Sequence, residues 1–251
     1  MTASALFADR LRRGERLIGT LVSLSAPEIT ELLALCGFDW LFIDAEHGAF
    51  DPHDTQKLLQ AAGDCPCVVR VPAADEVWIK KALDIGAAGI IVPQVNTAEE
   101  ARAIVRSAKY TPDGNRGIGL ARAHGYGLEF ENYLREANLR TVVILQAESR
   151  AAVENIEEIV QVPGVDAILI GPNDLAASLG HLGKLNHPAV EEAIERIATA
   201  CRNYDMRLGF FGGAPAAIEP YLGKGVTLIT VGVDTLFLAQ AARQALAAFR
   251  D

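Results

Sequence analysis

The chain has 251 residues, half of them hydrophobic, with a formal net charge of −9. That is enough apolar residue for one sizeable α/β core, and the acidic balance argues against nucleic acid or an anionic membrane as partner. Four scattered cysteines, of which only Cys65 and Cys67 are close, complete no zinc pattern, and no apolar run has bilayer length.

No apolar signal core is evident near the start, so a cytoplasmic location is expected. The basic stretch "RLRRGER" reads as a solvated helix end. "LIGTLVS" is the first candidate strand. Seven more follow in "CGFDWLFIDAEH", "CPCVVRVP", "IGAAGIIVPQV", "RTVVILQAES", "PGVDAILIGPND", "RLGFFGG" and "GVTLITVGVD". Their apolar runs are continuous rather than alternating, as in strands buried on both faces of a parallel sheet.

Helical segments lie between them. "DPHDTQKLLQAAG" opens on Asp51 as cap with Pro52 in the first turn and stops at Gly63. "DEVWIKKALDIGAAG" and "NTAEEARAIVRSAKY" behave alike, the second capped by Asn96 or Thr97. "SRAAVENIEEIVQVPG", "HPAVEEAIERIATACRNYD" and the unusually apolar "FLAQAARQALAAFR" complete the series. About eight strand–helix alternations without a linker predict one (β/α)8 (TIM) barrel domain over residues 1–251. A doubly wound sheet is the alternative, but "LVSLSAPE" is no glycine-rich nucleotide turn.

In such a barrel the chemistry collects at the carboxyl ends of the strands. The second strand ends in Asp44, Glu46 and His47, the third in Arg70, the fifth in Gln146 and Glu148, the sixth in Asn173 and Asp174. Glu148 and Asp174 offer hard oxygen ligands suited to Mg²⁺ or Mn²⁺; charge placement alone leaves an ion pair with Arg70 or Arg122 equally open. The helix start at Asn173 and Asp174 offers free N–H groups to an anion. His47 is a candidate acid–base group, and Asp44, Glu46 and Asp84 are candidates to orient it. Arg70 suits a developing oxyanion. The glycine-rich segment "RGIGLARAHGYG" reads as a mobile active-site or interface loop from which Arg122 reaches substrate. None of the six lysines closes an apolar strand, which disfavours Schiff-base chemistry.

The strings "FIDAEHGAFD", "VVRVP", "IKKALDIGAAGIIVPQV", "YTPDGNRGIG", "LQAES", "GVDAILIGPNDLAASLG" and "VGVDT" resemble the HpcH/HpaI aldolase family, metal-dependent aldolases of 2-keto-3-deoxy (4-hydroxy-2-oxo) acids. The resemblance runs along nearly the whole chain. Ala45 and Gln94 depart from the family's usual Gly and its Met or Phe. The resemblance implies Glu148 and Asp174 as ligands of a divalent ion (Mg²⁺, Mn²⁺ or Co²⁺). It implies His47 paired with Asp84 as acid–base group, Arg70 on the keto oxygen and Gln146 lining a pyruvate site. Amides near Asn173 and Asp174 would hold the pyruvate carboxylate, and an aldehyde would be the second substrate. It also implies exchange of the last helix between subunits and a hexamer built as a trimer of dimers. An acyl-CoA lyase of the citrate-lyase type and a non-catalytic metal- and 2-oxoacid-binding barrel are the alternative readings.

Overall fold

The structure is a computed structural model that describes residues 3–250; the outermost residues of the expected 1–251 domain lie outside them. Eight parallel strands close into a barrel in sequence order. They are β1 (Leu17–Val22), β2 (Trp40–Asp44), β3 (Cys67–Arg70), β4 (Gly89–Val92), β5 (Val142–Ala147), β6 (Ala167–Ile170), β7 (Arg207–Gly212) and β8 (Val226–Val233). Each expected apolar run became a strand. β1 pairs with β8 and closes the ring, with a shift in register between Gly19 and Leu21.

The helices are α1 (Ala3–Arg12), α2 (Pro27–Leu35), α3 (Pro52–Ala61), α4 (Glu76–Asp84), α5 (Ala98–Ala108), α6 (Phe130–Arg140), α7 (Arg150–Glu154), α8 (Ile156–Ile159), α9 (Pro172–Ser178), α10 (Pro188–Asn203), α11 (Glu219–Leu222) and α12 (Asp234–Ala247). The capping signals act locally. Asp51 accepts the amides of His53 and Asp54 at the start of α3. Of the two candidate caps for α5, Thr97 serves, in a reciprocal box with Glu100. The single helix expected over residues 149–164 is instead two short ones, α7 and α8, broken at Asn155. Asn155 gives its side-chain amide to the carbonyl of Asn96.

Two apolar layers hold the barrel. Outward residues such as Leu41, Ile43, Val69, Ile90 and Leu145 pack under the helices. Inward residues such as Leu17, Trp40, Phe42, Val68 and Leu169 fill the interior. Trp40 is fully buried, and its room comes from Gly19, where a β-carbon would stand 2.5 Å from the indole. The basic start is more than a solvated helix end. Phe7, Ala8 and Leu11 of α1 belong to the inner cluster and plug the amino end of the barrel. Arg12 pins α1 to Asp166 at 2.7 Å.

The last helix stands apart. Asp234 is the only buried residue of α12, while Leu236, Phe237, Leu238 and Leu246 are exposed. A helix normally covers the outer face of every strand in this architecture. On β1 the outward Ile18 is instead 41% exposed. Among the described residues, no helix is long and apolar enough to cross a membrane.

Candidate active site

The strands deliver their polar ends to one cavity of about 290 Å³, lined by Asp44, His47, Arg70, Gln146, Asn173 and Asp174 among others. At its centre Arg70 makes a two-pronged bond to Asp44, Nε to Oδ1 at 2.9 Å and Nη2 to Oδ2 at 2.7 Å. Residues 44 and 70 are register partners on β2 and β3, so the pair follows directly from the strand alignment. Arg70 Nη1 reaches Glu46 at 3.1 Å, and the guanidinium lies 5.2 Å from the Phe42 ring centre. Asp44 is thus the principal partner of Arg70, a role that the sequence marked only as proximity to His47.

Gln146 and Glu148 alternate onto the same face of β5 and its extension. The Gln146 amide nitrogen donates to Glu148 Oε2, which leaves Gln146 Oε1 buried without a partner. Glu148 Oε1 accepts the backbone N–H of Gln94 at 2.8 Å. Gln94 sits at φ 56°; the sequence marked it only as a departure from the family's usual residue, not for its backbone amide. Burial pushes the Glu148 carboxyl up to about 7, helped by the nearby charges of Asp174 and Glu46 and opposed by the Gln94 amide and Arg70. Burial likewise raises Glu46, with Arg70 and His47 pulling the other way.

Like charges gathered in a low-dielectric recess are a place for a cation. Glu148 and Asp174 supply hard oxygens, and the donor set has no thiol, so the residues fit a divalent ion. Glu46 is held by Arg70 rather than completing a three-ligand cluster. The cluster of that kind found among the described residues is Asp51, His53 and Asp54, exposed at the start of α3, where Asp51 is already engaged as cap.

His47 is on the cavity rim, its side chain 68% exposed and its Nε2 3.7 Å from Glu46. Its backbone N–H is 3.2 Å from Asp44 Oδ1. Asp84 is not with it. α4 runs antiparallel to the strands, and its nine residues carry the chain about 13 Å towards the amino end. There Asp84 accepts from Arg116 at 2.6 Å, and the pairing with His47 is not made within one chain. Arg122 is also at that end, bonded to the carbonyl of Ile85 at 2.9 Å, so it does not reach this chain's cavity. His124, in the same loop, is buried and close to the carbonyl of Gly119. A larger cavity of about 670 Å³ also opens at the amino end. Its charged groups are spent on each other and on the backbone: Arg12 on Asp166, Lys109 on the carbonyls of Asn138 and Thr141.

The HpcH/HpaI aldolase/citrate lyase family model matches residues 17–241. The chain belongs to this family. A 2-keto-3-deoxy-L-rhamnonate aldolase of Klebsiella pneumoniae is 40% identical over 98% of this chain and 93% of its own length. A hydroxypyruvate/pyruvate aldolase of Cupriavidus necator is 39% identical over 100% of this chain and 94% of its own. The crystal structure of an HpcH/HpaI aldolase/citrate lyase family protein from Burkholderia cenocepacia J2315 superimposes with a TM-score of 0.94. It is 40% identical and covers 97% of this chain and 98% of the other. The matches span the barrel from β1 into α12, and with them every strand that feeds the cavity.

Proposed function

We propose that the protein is a divalent-metal-dependent pyruvate aldolase, reversibly cleaving 4-hydroxy-2-oxo acids to pyruvate and an aldehyde. The observation that carries this is Glu148, buried and bonded to the cavity-lining Gln146 and to the Gln94 amide, with the charges of Asp174 and Arg70 nearby, in a chain related to aldolases over its full length. Glu148 and Asp174 would hold Mg²⁺, Mn²⁺ or Co²⁺, whose Lewis acidity would acidify the methyl group of a bound 2-oxo acid. Arg70, fixed by Asp44, places positive charge where the keto oxygen becomes an enolate oxygen. Gln146 lines the same wall. The N–H groups of Asn173 and Asp174 precede the first intrahelical bond, made by Leu175 to Gly171, and suit the carboxylate. His47 on the rim transfers the proton of the aldehyde-derived hydroxyl.

Two features point to a second copy of the chain. α12 is apolar and largely exposed, and Ile18 at the start of β1 is exposed as well, so exchange of α12 between two copies would cover apolar surface that one chain leaves open. The expected pairing of Asp84 with His47, which one chain does not make, would require such an interface. The hexameric trimer of dimers is consistent with both features.

The test is deuterium uptake into the methyl group of pyruvate, followed by NMR on EDTA-stripped protein before and after addition of Mn²⁺. Exchange that appears only with metal is expected. Pyruvate binding without exchange would make the barrel a non-catalytic receptor, and exchange into acetyl-CoA instead would make it a lyase of the other branch of the family.

A further inference from the structure

The aldolase reading leaves open which aldehyde is used, and the cavity holds an unassigned polar pair that bears on it. The wall opposite Arg70 and Gln146 comes from β1, β7 and β8 and consists of Leu21, Ser23, Phe211 and Val233. Ser23 is its one polar side chain. Its Oγ donates to Asp234 Oδ1 at 2.7 Å. Asp234 is buried at 4% exposure. It also accepts the backbone N–H groups of Ser23 and Leu24 at 2.8 Å and of Thr235 at 2.7 Å.

A hydroxyl has one proton to give. At Ser23 that proton is committed to a carboxylate already fixed by three backbone amides. The face that Ser23 turns to the cavity is therefore lone pairs alone, with a buried negative group behind them. Such a wall accepts from a hydroxyl and repels a carboxylate. No spare cation offsets it: among the cavity-lining residues the one arginine, Arg70, is held by Asp44 and Glu46, and His47 is across the rim beside Glu46.

We propose that the Ser23–Asp234 pair determines aldehyde specificity, selecting neutral aldehydes that carry a hydroxyl group and excluding those that carry a carboxylate. The proposal rests on the aldolase reading above. Asp234 acts through Ser23 and is a positioning residue; Ser23 would touch the substrate. Because Asp234 also opens α12, the helix that stands away from the barrel, the pair ties the seating of that helix to the wall of the cavity.

The experiment uses the full-length Mn²⁺-loaded protein with saturating pyruvate. It compares kcat/KM for glycolaldehyde, for acetaldehyde, which differs by that one hydroxyl, and for succinic semialdehyde, which adds a carboxylate. The wild-type protein is expected to favour glycolaldehyde and to use succinic semialdehyde least. Ser23→Ala should lower the glycolaldehyde-to-acetaldehyde ratio by about tenfold, the worth of one such hydrogen bond. Asp234→Asn removes the negative charge behind Ser23 and should raise succinic semialdehyde relative to glycolaldehyde. A ratio unmoved by Ser23→Ala, or a wild-type preference for succinic semialdehyde, overturns the proposal, and Ser23→Ala decides it alone if Asp234→Asn does not fold. Absence of pyruvate exchange in the wild-type protein would instead end the aldolase reading, so the two failures are separable.

Discussion

Gly171 lies directly against Glu148: a β-carbon on residue 171 would stand 2.7 Å from Glu148 Oε2 and 2.8 Å from Gln146 Nε2. The end of β6 thus has no side chain because the end of β5 needs the space. Gly171→Ala should push Glu148 out of line with Asp174 while leaving the barrel folded. Mn²⁺ affinity, measured by electron paramagnetic resonance, should fall at least tenfold, and the circular dichroism spectrum should be unchanged.

Glu148 gives the metal site a pH dependence of known sign. A carboxyl raised to about 7 is protonated below that pH, and a proton competes with the ion for the same oxygens. Mn²⁺ affinity should therefore drop by about tenfold per pH unit below 7 and level off above it. Without metal the linkage reverses the benefit. Between the ordinary carboxyl value and 7 the folded state holds a proton that the unfolded state has lost, so metal-free stability declines as pH rises through this window. Thermal melts of EDTA-treated protein should show that decline, and Glu148→Gln should flatten it.

Arg70 cannot be replaced by lysine at no cost. A single ammonium does not reproduce the fork that grips both oxygens of Asp44. Arg70→Lys should lower kcat by about 10²–10³, with a smaller change in Mn²⁺ affinity. Arg70→Ala also strands the buried Asp44 and should destabilise the fold by about 3–5 kcal/mol, measurable by urea denaturation.

The His47 side chain, exposed and beside Glu46, can be removed without disturbing the core. His47→Ala should retain Mn²⁺ binding and lower aldol turnover by about 10²–10⁴. Retention of full turnover would strip His47 of its acid–base role.

Oligomerisation is testable through α12. Leu238 is 61% and Leu246 47% exposed, and neither contributes to the core of its own barrel. Replacing both by Asp should leave secondary structure intact and shift the protein to monomers in sedimentation-velocity runs. If Asp84 serves a neighbouring subunit, activity should fall with the same shift.

Local physics made much of this legible in the amino-acid order. Continuous apolar runs named all eight strands, because a strand covered on both faces needs no alternation. Asp51, and Asn96 or Thr97, marked helix starts, because a cap bonds within three residues of itself. The polar ends of the runs pointed to the carboxyl rim, where Asp44, His47, Arg70, Gln146, Asn173 and Asp174 do line one cavity.

What the sequence could not decide were contacts between distant segments and the direction in which each segment faces. Asp84 and Arg122 look like site residues on a string of letters, yet the reversed run of α4 puts Asp84 at the far end of the barrel, and Arg122 bonds to the Ile85 carbonyl just after that helix. The Gln94 amide, the Asp44–Arg70 fork and the Ser23–Asp234 bond join positions 54, 26 and 211 residues apart. The pairing of neighbouring strands makes the first two contacts and closure of β1 on β8 the third, because periodicity fixes which face a residue occupies but not which distant neighbour it will meet there.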